Sequence, residues 1–175
     1  MKLLSIIIVN VKGKENLSRL LQSLSLSTFK DFEIIVIDNV KNESLNNVKT
    51  VYINEDKGPA YCRNIGARNS EGKFLLFLDN DTKVPEDSLG HLINFLSSNQ
   101  YKIVQLKLIR EDGTIDSAGG FIDDLGYPYE KYRGERSKNV NSIYPILYAK
   151  GAALIISRDV FEKLGGFDED YFFRI

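Results

Sequence analysis

The stretch that most constrains this chain is Lys73-Phe74-Leu75-Leu76-Phe77-Leu78-Asp79-Asn80-Asp81-Thr82. Its apolar core reads as a strand buried on both faces, the pattern of a central parallel strand. The run stops at two carboxylates separated by one residue. Like charges this close repel, and each must stay solvated or find a cation. A divalent metal resolves that conflict. Mg²⁺ and Mn²⁺ prefer carboxylate oxygen, and Mg²⁺ is commonly held by one or two carboxylates together with substrate phosphates. In open α/β sheets ligands sit at the carboxyl ends of strands, where Asp79 and Asp81 fall. The same residues also fit a plain strand-to-loop turn, with solvated Asp side chains capping the next helix.

Around this strand the chain alternates. Residues 4–9 are a β-branched run and predict a first buried strand. After Asn10–Gly13, Leu17, Leu20, Leu21 and Leu24 follow the spacing of an amphipathic helix. Residues 32–37 predict a second strand, again ended by a carboxylate in Asp38-Asn39. Residues 51–53 give a short third strand, followed by the turn Asn54-Glu55-Asp56-Lys57-Gly58. Pro59 stands where a helix begins, with Ala60, Ile65 and Ala67 inside it. Pro85-Glu86-Asp87 opens a further helix with acidic residues in its first turn, and Leu89, Leu92, Ile93 and Leu96 form its apolar face. This pattern predicts a parallel, doubly wound sheet over residues 1–108.

The second half, 109–175, differs. Residues 103–109 predict a strand and Arg110-Glu111-Asp112-Gly113-Thr114 a hairpin turn. Residues 116–141 are rich in Gly, Tyr and charge with little periodicity, which points to a long functional or mobile loop. Residues 145–156 return to apolar strand, interrupted at Lys150-Gly151. Residues 158–164 form a short helix closed by Gly165-Gly166. The dense aromatic and acidic run Phe167-Asp168-Glu169-Asp170-Tyr171-Phe172-Phe173-Arg174-Ile175 reads as a packed segment cut short.

Composition narrows the function classes. At 175 residues the chain fits one domain with a proper core. The 23 basic residues are balanced by 24 acidic ones, so no nucleic-acid footprint is expected. A single cysteine, Cys62, excludes an internal disulfide. The apolar opening is too short to span a membrane and lacks a cleavage site, so the expected compartment is the cytoplasm, compatible with a peripheral place at the inner face of the membrane. His91, without ligand-spaced partners, reads as structural or exposed. The tyrosines of 127–148 and Asp123-Asp124 read as packing and a solvated turn.

Three strand ends carry polar residues: Asn10, Asp38, and Asp79 with Asp81. Parallel neighbours bring such ends to one edge. A nucleotide suits that edge, with Asp38 accepting hydrogen bonds from base or ribose and a metal on Asp79 and Asp81 holding the diphosphate. No P-loop and no G-x-G-x-x-G is present. An aspartyl-nucleophile phosphatase is disfavoured, because Lys83 stands at the fifth motif position and the motif lies mid-chain.

The chain resembles the family 2 glycosyltransferases, inverting enzymes of the GT-A fold, in their rhamnosyltransferase-like subgroup. The resemblance rests on Ser5-Ile6-Ile7-Ile8-Val9-Asn10, Phe32-Glu33-Ile34-Ile35-Val36-Ile37-Asp38-Asn39, Arg63-Asn64-Ile65-Gly66-Ala67-Arg68 and Phe77-Leu78-Asp79-Asn80-Asp81. It continues in Asp112-Gly113-Thr114, Ser117-Ala118-Gly119-Gly120 and Gly165-Gly166-Phe167-Asp168-Glu169. It implies a mainly parallel sheet with helices on both faces, a nucleotide-sugar-binding half over 1–108 and an acceptor-side half over 109–175. It further implies a UDP- or dTDP-sugar donor, Mn²⁺ or Mg²⁺, and a glycan or lipid-linked acceptor. Residue by residue, Asp38 is similar to the acid that contacts the base, and Asp79-Asn80-Asp81 to the DxD motif. Arg63 and Asn64 resemble residues near the donor nucleotide, and Gly151-Ala152 the loop facing donor sugar and acceptor.

Two departures matter. Val11-Lys12 replaces an aromatic residue that is common after the first strand. The Glu-Asp pair that supplies the family's general base is expected beyond Ile175, which keeps a second expectation open: a non-catalytic nucleotide-sugar-binding module on the same scaffold.

Overall fold

The computed structural model describes residues 2–11, 13–38, 48–55 and 57–171. The positions of Lys12, Asn39, Asp56 and Phe172-Phe173-Arg174-Ile175 named above lie outside the described residues. In chain order the elements are β1 (Leu4–Asn10), α1 (Lys14–Ser25), β2 (Phe32–Asp38), β3 (Lys49–Tyr52), α2 (Gly58–Arg68), β4 (Phe74–Asp79) and α3 (Ser88–Ser98). There follow β5 (Ile103–Gln105), β6 (Leu108–Ile109), β7 (Ile115–Ser117), β8 (Gly120–Ile122), β9 (Pro128–Glu130), β10 (Ala153–Ser157) and α4 (Arg158–Lys163).

The central sheet has the order β3-β2-β1-β4-β10-β5. The first four strands are mutually parallel, whereas β10 runs antiparallel to both β4 and β5. The strands within residues 1–108 run parallel as expected, and β10, from beyond residue 108, slots in antiparallel between β4 and β5. The apolar runs form strands because both of their faces are covered. Leu4, Ile6 and Ile8 alternate onto one face with Leu76 and Leu78, under the leucines of α1 and α3. Ile7, Leu75 and Phe77 point the other way, towards α2 and α4 through Ala67 and Phe161. Ile35, Ile37 and Cys62 extend that second layer. Each fully buried side chain of this size contributes about 1.5–3 kcal/mol.

At the amino edge of the sheet a group of polar residues bond one another, while Ser157 Oγ is buried without a partner among the described residues. Ser5 Oγ donates to Glu33 Oε1 at 2.6 Å, and the same oxygen accepts the backbone N–H groups of Glu71 (2.6 Å) and Gly72 (3.2 Å). Arg158 closes the layer, donating to Gly72 O at 2.7 Å, Ala67 O at 3.2 Å and Ser70 Oγ at 2.8 Å.

Three predicted elements change shape. The helix expected from Pro85 begins at Ser88, so Glu86 and Asp87 precede it, and Asp87 accepts a hydrogen bond from Thr28 Oγ1 at 3.1 Å. The strand predicted over 103–109 breaks into β5 and β6. Lys107 is drawn out of the ladder to donate to Ser137 O (3.0 Å) and Val140 O (2.8 Å). The stretch 145–156 is regular strand only in β10. The hairpin at 110–114 forms as expected between β6 and β7, and the Thr114 hydroxyl and N–H hold the exposed Asp112 carboxyl below the usual carboxylate range. The supposed loop 116–141 contains the β8–β9 hairpin, braced by stacked Phe121, Tyr129 and Tyr144. Asp123 and Asp124 are exposed there, and Asp123 Oδ1 accepts two backbone N–H groups of its own turn. His91 is exposed. No helix among the described residues is long and apolar enough to cross a membrane.

Candidate functional site

Strand register turns sequence positions into an edge. Asn10 lies opposite Asp38 in the β1–β2 ladder, and Val9 lies opposite Asp79 in β1–β4. Because β10 runs the other way, its start meets the end of β4: Ala153 pairs with Leu78, and Ala152 O accepts the Asp79 N–H at 3.2 Å. Asn10, Asp38, Asp79 and Gly151-Ala152 thus gather at the carboxyl edge of the sheet. Asn80 and Asp81 follow directly in the turn, which Thr82 fixes by donating through Oγ1 to Asp79 O at 2.8 Å.

Beside this edge lies a cleft of about 190 Å³ lined by Val9, Val11, Pro59, Arg63, Asp79, Asn80 and Asp81. Arg63 enters it from α2, and its Nη2 lies 3.0 Å from Asp79 Oδ1. The arginine side chain is only 15% exposed, whereas that of Asp79 is 44% exposed and Asp81 is open to solvent. Asn80 is steered from behind, its Nδ2 donating to Asn10 Oδ1 at 2.7 Å. Asn10 is buried, and its own Nδ2 finds no partner among the described residues. A buried donor left unpaired costs about 1–3 kcal/mol, which a ligand acceptor at this edge would recover. Asp38 is fully buried directly beside it.

The structure brings together Asn10, Asp38, Arg63, Asp79, Asn80, Asp81, Gly151 and Ala152. It does not bring Asn64 with them. That side chain is buried and belongs to a second cleft, of about 200 Å³, between α2 and the Gly165-Gly166 turn. Its Nδ2 donates to Phe167 O and to Glu169 Oε1, both at 2.8 Å, and its Oδ1 accepts the Phe167 N–H at 2.9 Å. Glu169 also pairs with Arg68 at 3.3 Å.

Sequence reasoning passed over Val9, Val11 and Pro59 as lining residues, and Gly13 as a spacer. A Cβ at Gly13 would collide with the Asn80 side chain, so a glycine three residues past the end of β1 was the available signal. Val9 was signalled only through its register with Asp79. Val11 and Pro59 carry no chemistry that marks them in isolation.

Asp79 and Asp81 offer hard oxygen donors on an open cleft, and among the described residues no group of three or more His, Cys, Asp or Glu side chains encloses an ion. Such a donor set fits a divalent cation that shares its coordination with ligand phosphates rather than one caged by protein alone.

Residues 5–165 match the family described as Glycosyl transferase family 2. An uncharacterized glycosyltransferase of Haemophilus influenzae is 41% identical over 104 residues, 55% of this chain and 35% of that protein. The O-antigen biosynthesis protein RfbC of Myxococcus xanthus is 29% identical over 192 residues, covering 94% of this chain and 14% of its own length. Among solved structures, Staphylococcus aureus TarS 1-349 in complex with UDP is similar with a TM-score of 0.68 at 19% identity, over 98% of this chain and 52% of that one. Mannosyltransferase PcManGT from Pyrobaculum calidifontis, in complex with GDP-Man and Mn²⁺, gives 0.65 at 15% identity, over 95% and 48%. The chain spans about half the length of these structures and less of the two relatives. A family match over nearly its whole length, on an architecture shared with these solved structures, leads to one conclusion: the chain belongs to glycosyl transferase family 2 and has the GT-A fold.

Proposed function

We propose that this chain is the nucleotide-sugar-binding core of a metal-dependent, inverting glycosyltransferase. Its donor is a UDP- or dTDP-sugar and its acceptor a hydroxyl of a glycan or lipid-linked molecule. The observation that carries the reading is the convergence of Asn10, Asp38 and Asp79 at one sheet edge, with Asp81 and Arg63 beside them in one cleft. Asp38 and Asn10, opposite one another in the β1–β2 ladder, are assigned to the base as acceptor and donor, the pair of functions a pyrimidine edge requires. Asp79 and Asp81 would hold the divalent ion, and Asn80, tied to Asn10, sets the angle of the turn that carries them. A bound Mn²⁺ or Mg²⁺ supplies electrostatic stabilisation of the departing diphosphate. Gly151, packed against Arg63, and Ala152 are assigned to the side where donor sugar and acceptor meet. The Mn²⁺ recorded with PcManGT, the UDP with TarS and the name of RfbC support metal, donor class and a polysaccharide acceptor.

Residues 1–175 are read as one domain, its nucleotide-binding half over 1–108 completed by β10 from the acceptor side. The compartment proposed is the cytoplasm. The proton of the acceptor hydroxyl needs a carboxylate base. Asp79 and Asp81 are committed to the leaving group, and Glu169 is tied to Asn64 and Arg68 at the second cleft. Following the family resemblance, the base is assigned to the family's Glu-Asp pair rather than to these carboxylates.

The test uses the longest natural reading frame containing this sequence, incubated with UDP- and dTDP-sugars, Mn²⁺ and a saccharide acceptor. Release of nucleoside diphosphate, with an inverted anomeric configuration by NMR, supports the enzyme. Donor binding without release contradicts it and leaves a binding module.

A further inference from the structure

Asp79 already has a cation. Arg63 Nη2 lies 3.0 Å from its Oδ1, and the arginine is held there by a socket rather than by the ion pair alone. On one side the guanidinium lies over the Phe167 ring, 5.9 Å from its centroid. It also lies against the bare main chain of Gly151, where a Cβ would come within 2.6 Å of Cζ and 2.8–2.9 Å of both Nη atoms. The socket walls are themselves fixed. Phe167 packs edge-on against Phe77 and Phe161, at 5.1 and 5.6 Å between centroids, and Asn64 grips its backbone N–H and C=O.

The carboxylate assigned to the divalent ion is therefore shared with a guanidinium that is 85% withdrawn from solvent, the complement of its 15% exposure. Two cations on one carboxylate repel, and the half-exposed Asp79 leaves that repulsion reduced by water but not removed. An ion that takes Asp79 beside Asp81 therefore gains a ligand weakened by Arg63 unless the arginine moves. A diphosphate changes the balance. It presents oxygens that a planar guanidinium binds in fork geometry, and it adds negative charge between the two cations. We propose that Arg63 is a resident counter-cation of Asp79 that makes divalent-ion binding at Asp79 and Asp81 contingent on a diphosphate. The proposal rests on the donor-site reading above and deepens it. By linkage the dependence is reciprocal: whatever factor the diphosphate adds to ion affinity, the ion adds to diphosphate affinity.

The test measures Mn²⁺ affinity by the EPR signal of the free ion, alone and with UDP or uridine, for the wild-type chain, Arg63→Gln and Gly151→Ala. In the wild type, UDP raises Mn²⁺ affinity by about tenfold or more, within the usual range of coupling between sites, and uridine does not. Arg63→Gln binds Mn²⁺ alone at least about fivefold more tightly, and the enhancement by UDP shrinks by a similar factor. Gly151→Ala, whose methyl group evicts the guanidinium, moves both quantities in the same direction. It decides the matter if Arg63→Gln fails a circular-dichroism check of folding. Unchanged Mn²⁺ affinity in a folded variant, with UDP still bound by the wild type, overturns the role of Arg63 and leaves the donor site standing. Absence of UDP binding to the wild type overturns the donor-site reading itself.

Discussion

The two edges of the central sheet are built from the same strands and treat their polar residues in opposite ways. At the amino edge, Ser5, Glu33, Ser70 and Arg158 are joined in one hydrogen-bonded layer that ties β1, β2, the turn before β4 and α4 together. At the carboxyl edge, Asn10 keeps a buried amide group without a partner among the described residues, and Asp79 is half open with one arginine for company. Buried polar groups normally end up hydrogen-bonded within the protein. The amino edge spends most of its polar groups on itself, Ser157 Oγ excepted among the described residues, whereas the carboxyl edge sets Asp79 and Asp81 on an open cleft. On this view, changes at the amino edge should cost stability and spare binding, and changes at the carboxyl edge should do the reverse.

Phe77→Ala should have the largest effect and erase the contrast. The ring is fully buried and packs against both Phe161 and Phe167. A loss of about 3–5 kcal/mol in urea unfolding is expected, with both edges compromised. Arg158→Ala removes three hydrogen bonds from the amino edge and should cost about 2–3 kcal/mol while leaving nucleotide affinity unchanged in calorimetry. A matching loss of nucleotide affinity would show that the edges are not separable. Asp38→Asn should lower nucleotide affinity by about 1.4–3 kcal/mol, tenfold or more, in the same calorimetry. Leu125→Ser, at the exposed tip of the β8–β9 turn, should sit within about 0.5 kcal/mol of wild type in stability and leave nucleotide affinity unchanged.

The same contrast explains what the sequence made legible. Strands β1, β2 and β4 announce themselves because being covered on both faces requires unbroken apolar runs, and a carboxylate ending such a run is conspicuous. The placement of β10 was not legible. Ala153–Ser157 has the composition of any buried strand, and only long-range pairing with β4 and β5 sets its direction. Asn64 illustrates the same gap within the site. Adjacent to Arg63 in sequence, it was grouped with it, yet one step around a helix turns a side chain by about 100°. Its amide groups are spent on residues more than a hundred positions away. The break between β5 and β6 follows from Lys107 reaching Ser137 and Val140, contacts without a local signature. Stacked rings in 121–144 likewise replaced the periodicity that a reader of sequence looks for.

The measurement that bears most directly on the carboxyl edge as a donor site is calorimetric titration of UDP, dTDP and GDP, with and without Mn²⁺, into the wild-type chain and Asp81→Ala. The account predicts Mn²⁺-dependent binding of UDP or dTDP that the substitution abolishes, with the folded fraction unchanged. Binding that is equally strong without Mn²⁺ or in Asp81→Ala, or no binding of any of the three to the folded wild type, would contradict it.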